Sequence, residues 1–146
     1  AADGGSVAIL GVMAGCHYID LTGKPIWNNY YPGTASLKSG TEATVFVHDD
    51  PHQVFECQAD ASLTNIATAQ ALVHSNAEGT GFGSQSGSTG ISTGEISVAS
   101  AGATTATDNF RIIGIKDPFG EISVTTAGVV FLVKLNLPFH VATTGL

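Results

Sequence analysis

Residues 43–58 read Ala43-Thr44-Val45-Phe46-Val47-His48-Asp49-Asp50-Pro51-His52-Gln53-Val54-Phe55-Glu56-Cys57-Gln58. Two runs rich in β-branched and aromatic residues flank a polar segment built on Asp-Asp-Pro, the pattern of two strands joined by a turn. Alternate side chains of a strand point to opposite faces, so Val54, Glu56 and Gln58 share one face of the second run. Phe55 and Cys57 occupy the other, and period-two reasoning assigns them to the core. The expectation is a hairpin whose Asp carboxylates accept turn N–H groups.

The same grammar extends in both directions. Residues 7–12 are apolar and β-prone, Ala14-Gly15 is expected to break that strand, and residues 16–20 resume it with partial alternation. Thr22-Gly23-Lys24-Pro25 is a turn, because Gly23 supplies positive φ and Pro25 restricts the residue before it. Residues 26–31 return as an extended aromatic run, with further turns at Tyr31-Pro32-Gly33-Thr34 and Lys38-Ser39-Gly40. Downstream, 110–115 and 129–137 read as strands, the second placing Phe131, Val133 and Leu135 on one face. The single helical pattern covers residues 63–74, where Leu63, Ile66, Ala67, Gln70, Ala71 and His74 follow helical spacing and Ser62 or Thr64 is placed to cap the start. Residues 77–107 are mostly Gly, Ser, Thr and Ala. They read as a low-complexity arm with little to pack, apart from Ile91 and Ile96-Ser97-Val98. Short strands, frequent turns and one short helix predict a mainly β fold: a small antiparallel β-barrel or β-sandwich with an extended Gly/Ser/Thr-rich arm, in one domain spanning 1–146.

Composition narrows the function classes. Of 146 residues 43% are apolar and only 12% charged, against a usual charged share of about 25%. A surface poor in ions is cheap to desolvate, which suits contact with another protein. Five Lys and Arg and a net charge of −7 exclude nucleic acid, whose affinity comes from phosphate neutralisation. No apolar run reaches transmembrane length and no basic amphipathic helix offers itself to a membrane. No charged n-region precedes an apolar h-region. The opening Ala1-Ala2-Asp3-Gly4-Gly5, without Met, reads as the start of a processed or partial chain. Cys16 and Cys57 cannot form a disulfide framework; buried free thiols and a single bridge both fit, the former better.

No constellation commits the chain to chemistry. His48, Asp49, Asp50 and His52 have metal-binding side chains, but neighbouring strand residues diverge, and the turn role explains the aspartates. Gly83-Ser84-Gln85-Ser86-Gly87 imitates a nucleophile elbow yet lies in low complexity, without strand–turn–helix context. Gly79-Thr80-Gly81 opens no helix, so it is no dinucleotide site. The expectation is no catalytic residue, no metal and no cofactor. Trp27, Tyr30 and Tyr31 are read as an interface patch, since aromatic residues concentrate at protein interfaces; stacking on a sugar is the alternative. Phe82 and Ile91 are assigned to contacts made by the arm.

One resemblance runs through these motifs. Leu10-Gly11-Val12, Gly15-Cys16-His17-Tyr18-Ile19-Asp20, Gly23-Lys24-Pro25, Tyr31-Pro32-Gly33-Thr34, Asp49-Asp50-Pro51 and Phe55-Glu56-Cys57-Gln58-Ala59-Asp60, followed by Phe110-Arg111-Ile112-Ile113-Gly114-Ile115, occur in this order. In that order they resemble the head decoration, or cement, proteins of tailed bacteriophages. The likeness covers most of the chain outside 77–107, and its motifs are turn and strand residues that speak to fold more than to chemistry. Members of the group carry a longer N-terminal region than these residues show. The resemblance implies a virion structural protein on the outer surface of an icosahedral capsid. It would bind the major capsid protein and associate with itself as a trimer or dimer at local symmetry axes, with no catalytic residue. An acidic chain is repelled by packaged DNA, consistent with an outer location. The alternative is a virion fibre or carbohydrate-binding module built on Trp27.

Overall fold

The computed structural model describes residues 9–63, 65–82, 92–99, 101, 106, 108–116 and 128–136. Strands dominate and every sheet is antiparallel. Strands β1 (Val12–Ile19), β2 (Pro25–Asn28) and β3 (Thr44–His48) form a sheet in the order β2-β1-β3. Strands β4 (Phe55–Gln58), β5 (Asn76–Ala77), β8 (Phe110–Ile115) and β9 (Val130–Leu135) form a second, ordered β4-β9-β8-β5. Strands β6 (Gly79–Thr80) and β7 (Glu95–Ile96) make a two-stranded ribbon. The fold is mainly β and sandwich-like. It is not a closed barrel, because the end strands of each sheet do not pair with one another.

The first hairpin forms where its turn chemistry places it. Asp20 Oδ1 accepts from Thr22 N at 2.8 Å, Thr22 Oγ1 at 2.7 Å and Lys24 N at 2.9 Å. Gly23 takes φ +87°, open to glycine at little cost. β1 then pairs with β2 from Ile19↔Pro25 to Cys16↔Asn28. Ala14-Gly15 does not break the strand as expected. β1 runs through it, and the pairing with β3 shifts register between Met13 and Gly15. The extra residue is accommodated as a bulge. Glycine relieves crowding there, since a Cβ on Gly15 would stand 3.0 Å from the Asn28 carbonyl oxygen, which would have to give by a few tenths of an ångström.

The expected 43–58 hairpin does not form. β3 pairs with β1, and β4 pairs with β9 in the other sheet. Residues 49–54 therefore carry the chain from one sheet to the next. The turn chemistry is local and survives: Asp50 Oδ1 accepts from His52 N at 2.8 Å, and the Asp50 carbonyl accepts from Gln53 N at 3.0 Å. Which strands pair is decided by side chains far apart in sequence, and a short Asp-Asp-Pro turn does not specify it.

The second sheet holds the main core, a cluster of thirteen buried residues that includes Cys57, Ile96, Phe110, Ile112, Ile115, Phe131, Val133 and Leu135. Cys57 is buried and Phe55 partly buried, while Glu56 and Gln58 are exposed, as alternation requires. β8 breaks strict alternation: Ile112 and Ile115 both point inward, because a register shift between Ile112 and Gly114 moves the phase by one residue. The helix is shorter than its pattern, α1 (Ile66–Ala71), and its cap is Asn65, whose side chain accepts from Thr68 N at 2.9 Å. Six residues are marginal as an isolated helix. This one is held by Ala69, fully buried in the core, and ended by His74, at φ +74°, which donates its N–H to the Ile112 carbonyl at 2.8 Å.

Within 77–107 the described residues are packed, by means of the glycines themselves. A Cβ on Gly94 would lie 2.6 Å from Cδ1 and Cε1 of Phe82, and one on Gly79 would lie 2.1 Å from its Cε2. The Phe82 ring thus fits edgewise between two glycines and stacks on Phe110, centroids 5.2 Å apart. Ile96 beside it is fully buried. Residues 83–91, including Ile91, lie outside the described residues.

Candidate protein-docking surface

The two sheets are unequal in what they bury. The three-stranded sheet has a core of three buried residues, Cys16, Tyr18 and Leu37, with Met13, Ile26, Tyr31 and Ala43 partly buried around them. Among the described residues, every large apolar side chain left exposed lies between residues 10 and 54: Leu10, Val12, Leu21, Trp27, Val45, Phe46 and Val54. Scattered exposed apolar residues are ordinary, and Leu10, Leu21 and Val54 lie outside the three strands; Trp27 and Phe46, brought together on one face of this sheet, mark a contact surface.

Register shows how the patch is built. Residues paired across antiparallel strands share a face. The pairs His17↔Trp27 and Gly15↔Phe46 set Trp27, His17, Gly15 and Phe46 on one face. Cys16 and Tyr18 point to the other face, toward the small core. Gly15 has no side chain, so Trp27 reaches across β1 from one edge strand to the other. Its ring stacks on Phe46 at 5.3 Å and 17°, and His17 tilts against it at 4.7 Å. Offset stacking of this kind adds about 0.5–1.5 kcal/mol to a pair beyond area burial. It pre-orders the rings without hiding them: Trp27 is 68% exposed and Phe46 43%. Ala14, Asn28 and Asn29 complete a shallow open groove beside them.

The residues singled out from sequence fall in different places. Trp27 heads the exposed face. Tyr31 turns inward onto the small core, and Tyr30, half-buried, contributes its carbonyl, which accepts from the Cys16 thiol at 3.1 Å. Phe82 occupies its glycine slot. Phe46 and His17 escape a reading of the sequence, because their roles depend on β3 pairing with β1 across 27 to 36 positions of sequence. That pairing has no local signal.

The charge around β3 is one-sided. Glu42 precedes it, Asp49 and Asp50 follow it, and no Lys or Arg occurs between Lys38 and Arg111. The thiols are poor nucleophiles. Burial raises Cys16, and burial followed by the Glu95 charge pushes Cys57 up to about 11. Among the described residues no three His, Cys, Asp or Glu side chains come together as metal ligands, and no helix is long and apolar enough to cross a membrane. The site defines a protein with a preformed apolar face on a sheet whose strands carry no Asp, Glu, Lys or Arg. Comparison with protein-family models, curated proteins and solved structures finds no match to the chain.

Proposed function

We propose that this chain is a structural virion protein that binds the outer surface of an icosahedral phage capsid and stabilises the shell by bridging major capsid protein subunits. The observation that carries this reading is the exposed apolar face of the β2-β1-β3 sheet, headed by Trp27 and Phe46. Trp is the residue most enriched where truncation costs most binding energy, and a pre-stacked ring loses little rotamer freedom on contact. A ligand that binds only the assembled shell stabilises it by mass action, by RT ln(1 + [L]/Kd) per site. Many symmetric copies turn a modest contact into a large collective effect. The test is co-sedimentation of the purified chain with expanded shells, followed by heating. Decorated shells are expected to retain DNA at temperatures where bare shells leak, and Trp27→Ala to abolish the difference. Bare and decorated shells that leak alike would refute the role.

The exposure of the Trp27 ring beside Asn28 and Asn29 favours a second reading, a carbohydrate-binding module in which a sugar stacks on the indole. Glycan-array binding that is lost in Trp27→Ala, with no binding to shells, would select it.

A further inference from the structure

We propose that the outer edge of β3 takes an extended segment of a partner protein as an added strand, and that this segment is a short apolar run flanked by Lys or Arg. The inference rests on the reading of the chain as a protein-binding subunit and specifies how that binding is made. β3 has β1 on one side and, among the described residues, no strand on the other. Half of its N–H and C=O groups point away from β1, with no strand partner among the described residues. Its five residues, Thr-Val-Phe-Val-His, are strongly β-prone, yet none is buried; Val45 is 46% exposed and Phe46 43%. Edge strands are ordinarily blunted by Pro, Lys or a bulge. The opposite edge, β2, begins with Pro25, whereas β3 has no Pro or Lys, and the bulge in its pairing lies on β1.

Charge selects the occupant. A second copy pairing antiparallel about Phe46, the register that matches all five residues, would bring the acids flanking β3, Glu42 before it and Asp49 and Asp50 after it, toward those of the other chain at both ends. Like charges directly opposed across strands are destabilising. No Lys or Arg lies within β3 or between it and Asp50 to offset these flanking acids in the sequence. A segment with basic flanks meets the same acids favourably, steering encounter and fixing register. Its side chain beside Phe46 would extend the Trp27–Phe46 stack, and strand addition of this kind takes affinity from main-chain bonds and specificity from alternate side chains.

Trp27 is the one tryptophan of the chain, and its contact with Phe46 makes it a reporter. The probe is the capped peptide Lys-Lys-Val-Thr-Val-Thr-Val-Lys-Lys, titrated into the whole chain against its Glu-flanked counterpart and against versions N-methylated at alternate amides along either edge. The Lys-flanked peptide is expected to shift Trp27 emission and bind at least about tenfold more tightly than the Glu-flanked one at low salt, the gap closing near 0.5 M salt. N-methylation along one edge is expected to abolish binding and along the other to spare it, a result that non-specific attraction to an acidic protein does not produce. Equal binding of Lys- and Glu-flanked peptides, indifference to N-methylation, or no binding by either would overturn the proposal. So would a dimer in sedimentation that is lost in Val45→Lys, which makes the occupant a second copy. A chain that decorates shells but ignores the peptide removes the β3 mode and leaves the structural role. A chain that binds the peptide but not shells removes the structural role alone.

Discussion

Replacing Gly94 by Ala isolates the most specific packing in the molecule. The added Cβ would lie 2.6 Å from both Cδ1 and Cε1 of Phe82, and the ring cannot retreat because its other edge abuts Gly79, where a Cβ position lies 2.1 Å from Cε2. Its face is already against Phe110. Overpacking of this kind costs about 1–3 kcal/mol. Gly94 is not in the left-handed region, so Ala also narrows the unfolded ensemble, a gain of about 0.4–1 kcal/mol. The net expectation is a loss of about 1.5 kcal/mol, or roughly 3–6 °C in Tm for a chain of this size. Phe82→Ala alone costs about 2 kcal/mol, less than the 3–5 of a fully buried ring, because Phe82 is half-buried. With the ring gone the clash has no partner, and Gly94→Ala in that background becomes neutral or stabilising. The assay is urea denaturation of wild type, both single variants and the double variant, followed by far-ultraviolet circular dichroism, with Trp27 fluorescence as a separate probe of the first sheet. A loss from Gly94→Ala of the same size with and without Phe82 would refute the slot, since the cycle reads only their coupling.

Three further outcomes follow from the geometry. Trp27→Ala is expected to leave folding within about 1 kcal/mol of wild type, the worth of its aromatic contacts, and to weaken shell binding roughly thirtyfold or more, as loss of a central anchor does; equal losses in both assays would make Trp27 a folding residue. Asp20 is held below the ordinary carboxyl range of about 3.9, first by the Thr22 hydroxyl and then by the Lys24 and Thr22 N–H groups. Its contribution is therefore fully present above that range and is lost as pH falls through the lower folded value. Asp20→Ala should flatten this acid limb while Asp20→Asn keeps most of the turn, as hydrogen exchange at Thr22 and Lys24 will report. Cys57, pushed up to about 11, stays a thiol at pH 8, with a thiolate fraction on the order of 0.1%. Its labelling by a thiol reagent should follow opening of the sheet and speed up in urea; fast labelling of the folded chain would contradict its burial. The raised value also means that any stability it lends is present below the unfolded thiol value of about 8.5 and declines as pH rises toward 11.

Most of the second sheet was legible in the chain. Phe131, Val133 and Leu135 alternate inward and Phe55 and Cys57 share the core face; in the first sheet, the turn at Thr22-Gly23-Lys24-Pro25 forms from its own residues. Each rests on a period of two or on a side chain bonding its near neighbours, and such interactions are written within a few positions. The exposed face was half legible. Trp27 was named for its type, but Phe46 and His17 were not, since what joins them is a strand register and an absent side chain at Gly15.

The mainly β character, the turns at Gly23 and Asp50 and the acidic, charge-poor composition were determined by the sequence alone, because the pleat, these turns and the charges depend on adjacent residues. Strand partners, the bulges at Gly15 and Gly114 and the fate of Phe82 were decided only in three dimensions. β3 left its sequence neighbour β4 for β1, and Phe82 left a glycine-rich stretch for the core. The physical reason is the same in both cases. Burial is a sum over side chains brought together from distant positions, and a short turn or a run of glycines weighs too little against it to choose the partner.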